Sequence, residues 1–282
     1  MIFLIITVVI VIIVLVLAYL ILLNFKVPKQ RHKKSPLDFG IEFEEHRIPT
    51  LNDKKLYAWW IKAKKPAPTI ILMHGWGKTC ERLMPYIKNL HGKGYNLLAF
   101  DARSHGNSDE DDFSSMIKFS EDILSCINFA ENQQTSEKDN IFLIGLSIGG
   151  AASIYAAAND DRVKKIVSIG APANPADVLA LHIRKKHIPQ PIIWLTFEFM
   201  QYKIGKRFSK IGADKNISKS SAKVLLIHGT EDRVVPFSQG EIIRNGANPN
   251  QAELWAIEGK GHSNCHYEKG FWDRVIGFFS QS

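Results

Sequence analysis

The chain has 282 residues, 45% hydrophobic and 23% charged, with a formal net charge of +8 and three cysteines. That length holds one catalytic-size domain or two small ones, each with enough chain to bury a core, and the composition excludes disordered, collagen-like and disulfide-scaffold classes. Apolar residues are spread unevenly, because positions 1–23 read MIFLIITVVIVIIVLVLAYLILL with Thr7 and Tyr19 as the only polar side chains.

From Ile2 to Leu23 a helix rising 1.5 Å per residue would reach about 33 Å, enough to cross a hydrocarbon layer of about 30 Å. A transmembrane helix over 1–23 is therefore expected. The segment lacks the basic start, short apolar run and small-residue cleavage site of a signal peptide. It also lacks the polar face of a helix lying on a soluble core. A basic linker over 24–40 follows, in which Lys26, Lys29, Arg31, Lys33 and Lys34 crowd into NFKVPKQRHKK. Without those five charges the formal net charge is +3, so the basicity belongs mostly to the linker and does not argue for nucleic acid. No such cluster precedes the apolar run, and the positive-inside bias then places the rest of the chain in the cytoplasm. The same lysines would attract anionic head groups, although a merely solvated linker is also compatible with them. Cys80, Cys126 and Cys265 are odd in number and have no metal-ligand spacing, which fits a reducing compartment and suggests no metal site.

Residues 41–282 alternate strand-like and helix-like stretches. IEFEEHRI and KLYAWWIK have a period of two and suggest an antiparallel pair joined at LNDKK. Short apolar runs follow at 69–74, 95–101, 140–146, 164–170, 223–229 and 252–258, each suited to a parallel strand buried on both faces. Stretches with helical spacing separate them, and strand followed by helix, repeated, predicts a doubly wound α/β sheet. Residues 174–221 break the rhythm and read as a helical lid insertion, since a structureless connection of that length is uncommon. An aromatic and apolar stripe in it, Trp194, Phe197, Phe199 and Met200, is expected mostly to pack the lid onto the body, with a minority facing substrate.

Gly145-Leu146-Ser147-Ile148-Gly149 lies between an apolar strand and an alanine-rich helix, the context a nucleophile elbow requires. A serine hydroxyl is a weak nucleophile that needs a base, and the base needs an orienting carboxylate. Asp232, just past the strand at 223–229, and His262, in a glycine-flanked loop past the strand at 252–258, supply both in the order Ser, Asp, His. Glu231 is the rival acid, and His266, at the start of the last helical pattern, the rival base. Backbone N–H groups of Trp76, in HGWG (74–77), and Ile148 are the candidate oxyanion donors. His74 is expected to hydrogen-bond within its loop rather than act in catalysis.

With HGWG, DARSHGNS (101–108), GLSIGG (145–150), HGTEDRVVP (228–236) and GKGH (259–262) in this order, the chain resembles the α/β-hydrolase superfamily of serine hydrolases from about Glu42 onward. It looks closest to membrane-anchored members of the Bem46-like and serine aminopeptidase-like groups. The resemblance implies an eight-stranded, mostly parallel sheet with helices on both faces, a lid after the sixth strand, and Ser147, Asp232 and His262 as the triad. It also implies structural roles for Asp101 and Arg103, with Ser104 replacing the family's usual glycine. The expected activity is cleavage of carboxylic esters through an acyl-enzyme on Ser147, without metal or organic cofactor. Small-molecule or lipid-like esters are the expected substrates. Peptidase, acyltransferase and non-catalytic membrane-tethered binding roles are the alternatives.

Overall fold

The computed structural model describes residues 1–23, 27, 29–184 and 190–281; side chains at 10, 13, 17, 18, 20–23 and 182–184 also lie outside the description. Lys26 of the basic cluster is therefore not described, nor is part of the first helical stretch of the expected lid. Strands β1 (Glu44–Thr50) and β2 (Lys54–Ile61) pair antiparallel, as their alternation predicts. The turn between them places Asn52 and Asp53 at φ 60° and 54°, a conformation that short polar side chains tolerate. Strands β3 (Ala67–Met73), β4 (Asn96–Phe100), β5 (Ser136–Leu146), β6 (Val163–Ile169), β7 (Lys223–Gly229) and β8 (Ala252–Ile257) complete one eight-stranded sheet in the order β1-β2-β4-β3-β5-β6-β7-β8. Pairing from β4 through β8 is parallel, and β2 meets β4 antiparallel.

Side chains along each central strand alternate between two cores. Ile71, Met73, Ile141 and Leu143 enter one core, and Ile70, Leu72, Phe142 and Ile144 the other. Among the described residues ten helices accompany the sheet: α1 (Ile2–Leu23), α2 (Met84–Leu90), α3 (Met116–Glu131), α4 (Ile148–Ala157), α5 (Pro175–Arg184), α6 (Gln190–Ile204), α7 (Phe208–Ile211), α8 (Ala213–Asn216), α9 (Ser238–Asn245) and α10 (Phe271–Ser280). Helices α3, α4 and α9 cover the first core, and α2 and α10 the second. A 3-10 turn, Cys80–Leu83, leads into α2, because Pro85 lacks the N–H that a helix interior needs. His266 sits in a separate 3-10 turn, Cys265–Tyr267, ahead of α10 rather than in its opening turn.

The apolar N-terminal segment does form a helix with the expected bounds, 22 residues from Ile2 to Leu23. Among the described residues, however, no helix is long and apolar enough to cross a membrane. The expected transmembrane helix is thus not part of the fold shown here. The linker behind it does not simply trail through solvent. His32 packs its ring 5.3 Å from Tyr57 and 5.1 Å from Trp59, Nε2 lies 2.9 Å from an Asp101 oxygen, and the Lys33 N–H donates to Glu81 at 2.8 Å.

Candidate active site

The sharp turn from β5 to α4 holds Ser147 at φ 54° and ψ −123°, a strained conformation for a residue with a side chain. Ser147 N–H donates to Ile169 O at 2.7 Å, which ties the turn to the end of β6. The flanking glycines are required by close approach. A Cβ at Gly145 would lie 2.3 Å from Gly149 O, and one at Gly149 would lie 2.5 Å from His74 O.

Asp232 follows β7 and is fully buried at its side chain. Its Oδ1 accepts the N–H groups of Val234 and Val235, both at 2.9 Å, and its Oδ2 meets His262 Nδ1 at 2.7 Å. Burial alone would raise this carboxyl. Contacts with His228 and His262 and the Val235 N–H outweigh it and hold the group well below the usual carboxylate range. The pairing of Nδ1 with Asp232 leaves Nε2 as the ring nitrogen free for a serine proton. Ser147 and His262 line one cavity of about 280 Å³, together with Trp76. No hydrogen bond yet links Ser147 Oγ to the imidazole among the described residues, and such contacts often tighten only when substrate is bound.

Trp76 and Ile148 flank Ser147 along a second cavity of about 360 Å³. Neither backbone N–H has a hydrogen-bond partner among the described residues, as oxyanion donors require. The HGWG loop is held by two histidines. His74 Nδ1 pairs with Gly75 O at 2.7 Å and its Nε2 accepts the Ala102 N–H at 3.1 Å, so this ring is used up in the loop. His105 Nε2 accepts the Gly77 N–H at 3.2 Å. Burial lowers both, His105 to about 3, so each is the neutral ring that can accept a backbone proton.

The DARSHGNS turn supports this loop. Asp101 accepts the backbone N–H groups of Cys80 at 2.7 Å and Asn107 at 2.8 Å. Arg103 is 1% exposed and donates to Asp122, Asp111 and Glu121. Ser104 departs from glycine at φ 65°, and its hydroxyl offsets that strain by accepting the Asp111 N–H at 3.0 Å and donating to Asp111 O at 3.3 Å. His32, Cys80 and Asp101 place potential metal-donor atoms within 4.8 Å of one another. Each has a hydrogen-bond role there already.

Two residues of the site were not singled out from the sequence. His228 brings Nε2 to 3.5 Å from Asp232 Oδ2 and 2.9 Å from Val235 O; its signal was its position four residues ahead of the acid in one motif. Gly170, at φ 60°, lies where a Cβ would come within 3.3 Å of His262 Nδ1 and 3.5 Å of Asp232 Oδ2. Of the expected lid stripe, Met200 lines the larger cavity, Phe197 packs edge-on against Phe208, and Trp194 is 65% exposed rather than packed on the body.

An esterase of Pyrococcus furiosus superposes with a TM-score of 0.72 over 90% of this chain and 96% of its own, at 23% identity. The chain has the α/β-hydrolase fold. The family model described as serine aminopeptidase, S33, matches residues 64–201 of this chain. An uncharacterized 31.7 kDa protein of Escherichia coli, from the traX-finO intergenic region, is 40% identical over 103 residues, 36% of each chain, so the chain matches about a third of that relative's length. The AB hydrolase superfamily protein YisY of Bacillus subtilis is 25% identical over 84% of this chain and 99% of its own. These matches are similarities to a serine aminopeptidase family model, to an AB hydrolase superfamily protein and to an esterase structure.

Proposed function

We propose that this protein is a membrane-tethered serine hydrolase that cleaves carboxylic esters or thioesters through an acyl-enzyme on Ser147. The observation that carries the reading is the strained Ser147 turn opening into the same cavity as His262, whose far ring nitrogen is 2.7 Å from Asp232. Ser147 Oγ attacks the carbonyl carbon and gives its proton to His262 Nε2, while the carbonyl electron pair moves to an oxygen facing the N–H groups of Trp76 and Ile148. Collapse breaks the bond to the leaving group, which takes the proton from His262. Water, deprotonated by the same imidazole, then attacks the acyl carbon, and Ser147 regains its proton.

Residues 174–221 act as a lid over an apolar acyl site, because α5, α6 and α7 contribute Leu179, Met200, Ile204 and Phe208 to the 360 Å³ cavity. An aminopeptidase would need a carboxylate to hold the substrate's free amine, and neither cavity beside Ser147 is lined by an acidic residue. That favours esters over peptides. Acyl transfer to another alcohol uses the same intermediate and differs only in the acceptor. A non-catalytic role would leave the strain at Ser147 without a use. The tether rests on the apolar run to Leu23, whose described side chains are largely uncovered by the body, with Ile5 at 55% and Val16 at 50% exposure. The basic linker after it orients the catalytic domain to the cytoplasm. Labelling with a fluorophosphonate probe tests the reading. Wild type is expected to label and Ser147→Ala to lose the label entirely; label retained on another residue removes Ser147 from its role.

A further inference from the structure

The two cavities that meet at Ser147 differ in charge. The larger is lined by apolar side chains and serines, with no charged residue. The smaller is lined by Lys78 and Arg82 and by no acidic residue. Among the described residues neither cation pairs with a carboxylate. The one hydrogen bond of the Arg82 guanidinium runs to Ser263 O at 2.7 Å, which anchors it to the loop carrying His262. His266 lines the same cavity. Its burial pushes its pKa down to about 4, so it adds no third charge there, and its Nε2 has no partner. Two cations sharing a small cavity without a counter-charge repel each other, and a bound anion relieves that repulsion.

The chemistry of the triad decides which end of the substrate enters this cavity. The leaving group must receive its proton from His262, and His262 lines the smaller cavity and not the larger. The acyl chain therefore lies in the apolar cavity under the lid, and the alcohol or thiol departs past Lys78 and Arg82.

We propose that Lys78 and Arg82 form a subsite for an anionic group, phosphate, sulfonate or carboxylate, carried on the leaving alcohol or thiol of an apolar acyl ester or thioester. The proposal rests on the acyl-enzyme reading of Ser147 and narrows it to substrates that are apolar on one side of the scissile bond and anionic on the other.

Two octanoate esters of phenols of similar acidity test it, one of 4-hydroxybenzenesulfonate and one of the neutral 4-hydroxybenzamide, assayed with full-length protein in non-ionic micelles. At low salt kcat/KM is expected to favour the sulfonate about ten-fold, a preference that shrinks with added salt. Lys78→Glu and Arg82→Gln should each cut the preference about five-fold. The readout is a ratio measured within one protein, so partial loss of folded enzyme cancels, and Lys78 is an exposed residue whose exchange does not threaten the fold. A wild-type ratio near one, or a ratio that survives both substitutions, overturns the anionic subsite while leaving Ser147-dependent hydrolysis of the neutral ester in place. Failure of wild type to hydrolyse either ester overturns the Ser147 reading and the subsite with it.

Discussion

Asp232 carries the largest electrostatic consequence of any single side chain in the site. Its burial would favour the neutral acid, yet His228, His262 and two backbone N–H groups keep it charged. A carboxyl held below its ordinary pKa stabilises the fold fully above about pH 4, the unfolded value, and loses that contribution as pH falls toward the folded value. Asp232→Asn is therefore expected to cost about 2 kcal/mol at pH 7, with the gap to wild type closing as pH drops from 5 toward 2. Denaturant unfolding of both proteins across that range checks it; a gap that stays constant would mean the carboxyl titrates normally. The identity of this acid could be read from its place after a strand. The second histidine beside it left only a weak signal, its place four residues ahead of the acid, because the turn after β7 decides whether the His228 ring reaches Asp232. Ser104 is a similar case. Its departure from glycine is visible in the sequence, but the Asp111 contacts that make it tolerable span a loop.

At the level of elements, α5 to α7 contribute apolar side chains to a cavity at the carboxyl ends of the central strands. Each methylene transferred from water into such a cavity is worth about 0.8 kcal/mol, so kcat/KM for esters of one alcohol is expected to rise about three- to four-fold per added methylene until the cavity fills. Ile204→Ser, which replaces apolar lining with a hydroxyl, should flatten that slope without abolishing hydrolysis of acetate esters. Ester series from acetate to dodecanoate, measured on both proteins, would show it, and a wild-type rate independent of chain length would mean that the cavity does not receive the acyl group. Helical spacing in 174–221 was enough to expect a lid. It was not enough to sort Met200 into the cavity and Trp194 into solvent, because the facing surface is set by how α6 meets α5 and α7. The linker shows the same limit: its charge is a property of composition, whereas the docking of His32 on Tyr57, Trp59 and Asp101 depends on residues 25 to 69 positions away.

For the whole molecule, most described side chains of α1 are apolar and exposed, and the proposed tether assigns them to a membrane. On that assignment, full-length protein should sediment with membranes and resist extraction by high salt and alkaline carbonate, while a form lacking residues 2–23 should stay in the supernatant and still react with the fluorophosphonate probe. Release of the full-length protein by salt alone would point to the basic linker, not the helix, as the attachment. By itself, the sequence determined the order of strands and helices, the parallel sheet and the candidate triad, since strand alternation, helical spacing and the glycines of the elbow act over a few neighbouring residues. Only the tertiary structure decided that His262 lines a cavity with Lys78 and Arg82 while side chains of α5 to α7 line an uncharged one. Those features arise where loops from distant strands meet at one end of the sheet, and their geometry is set by packing between segments that carry no local record of each other.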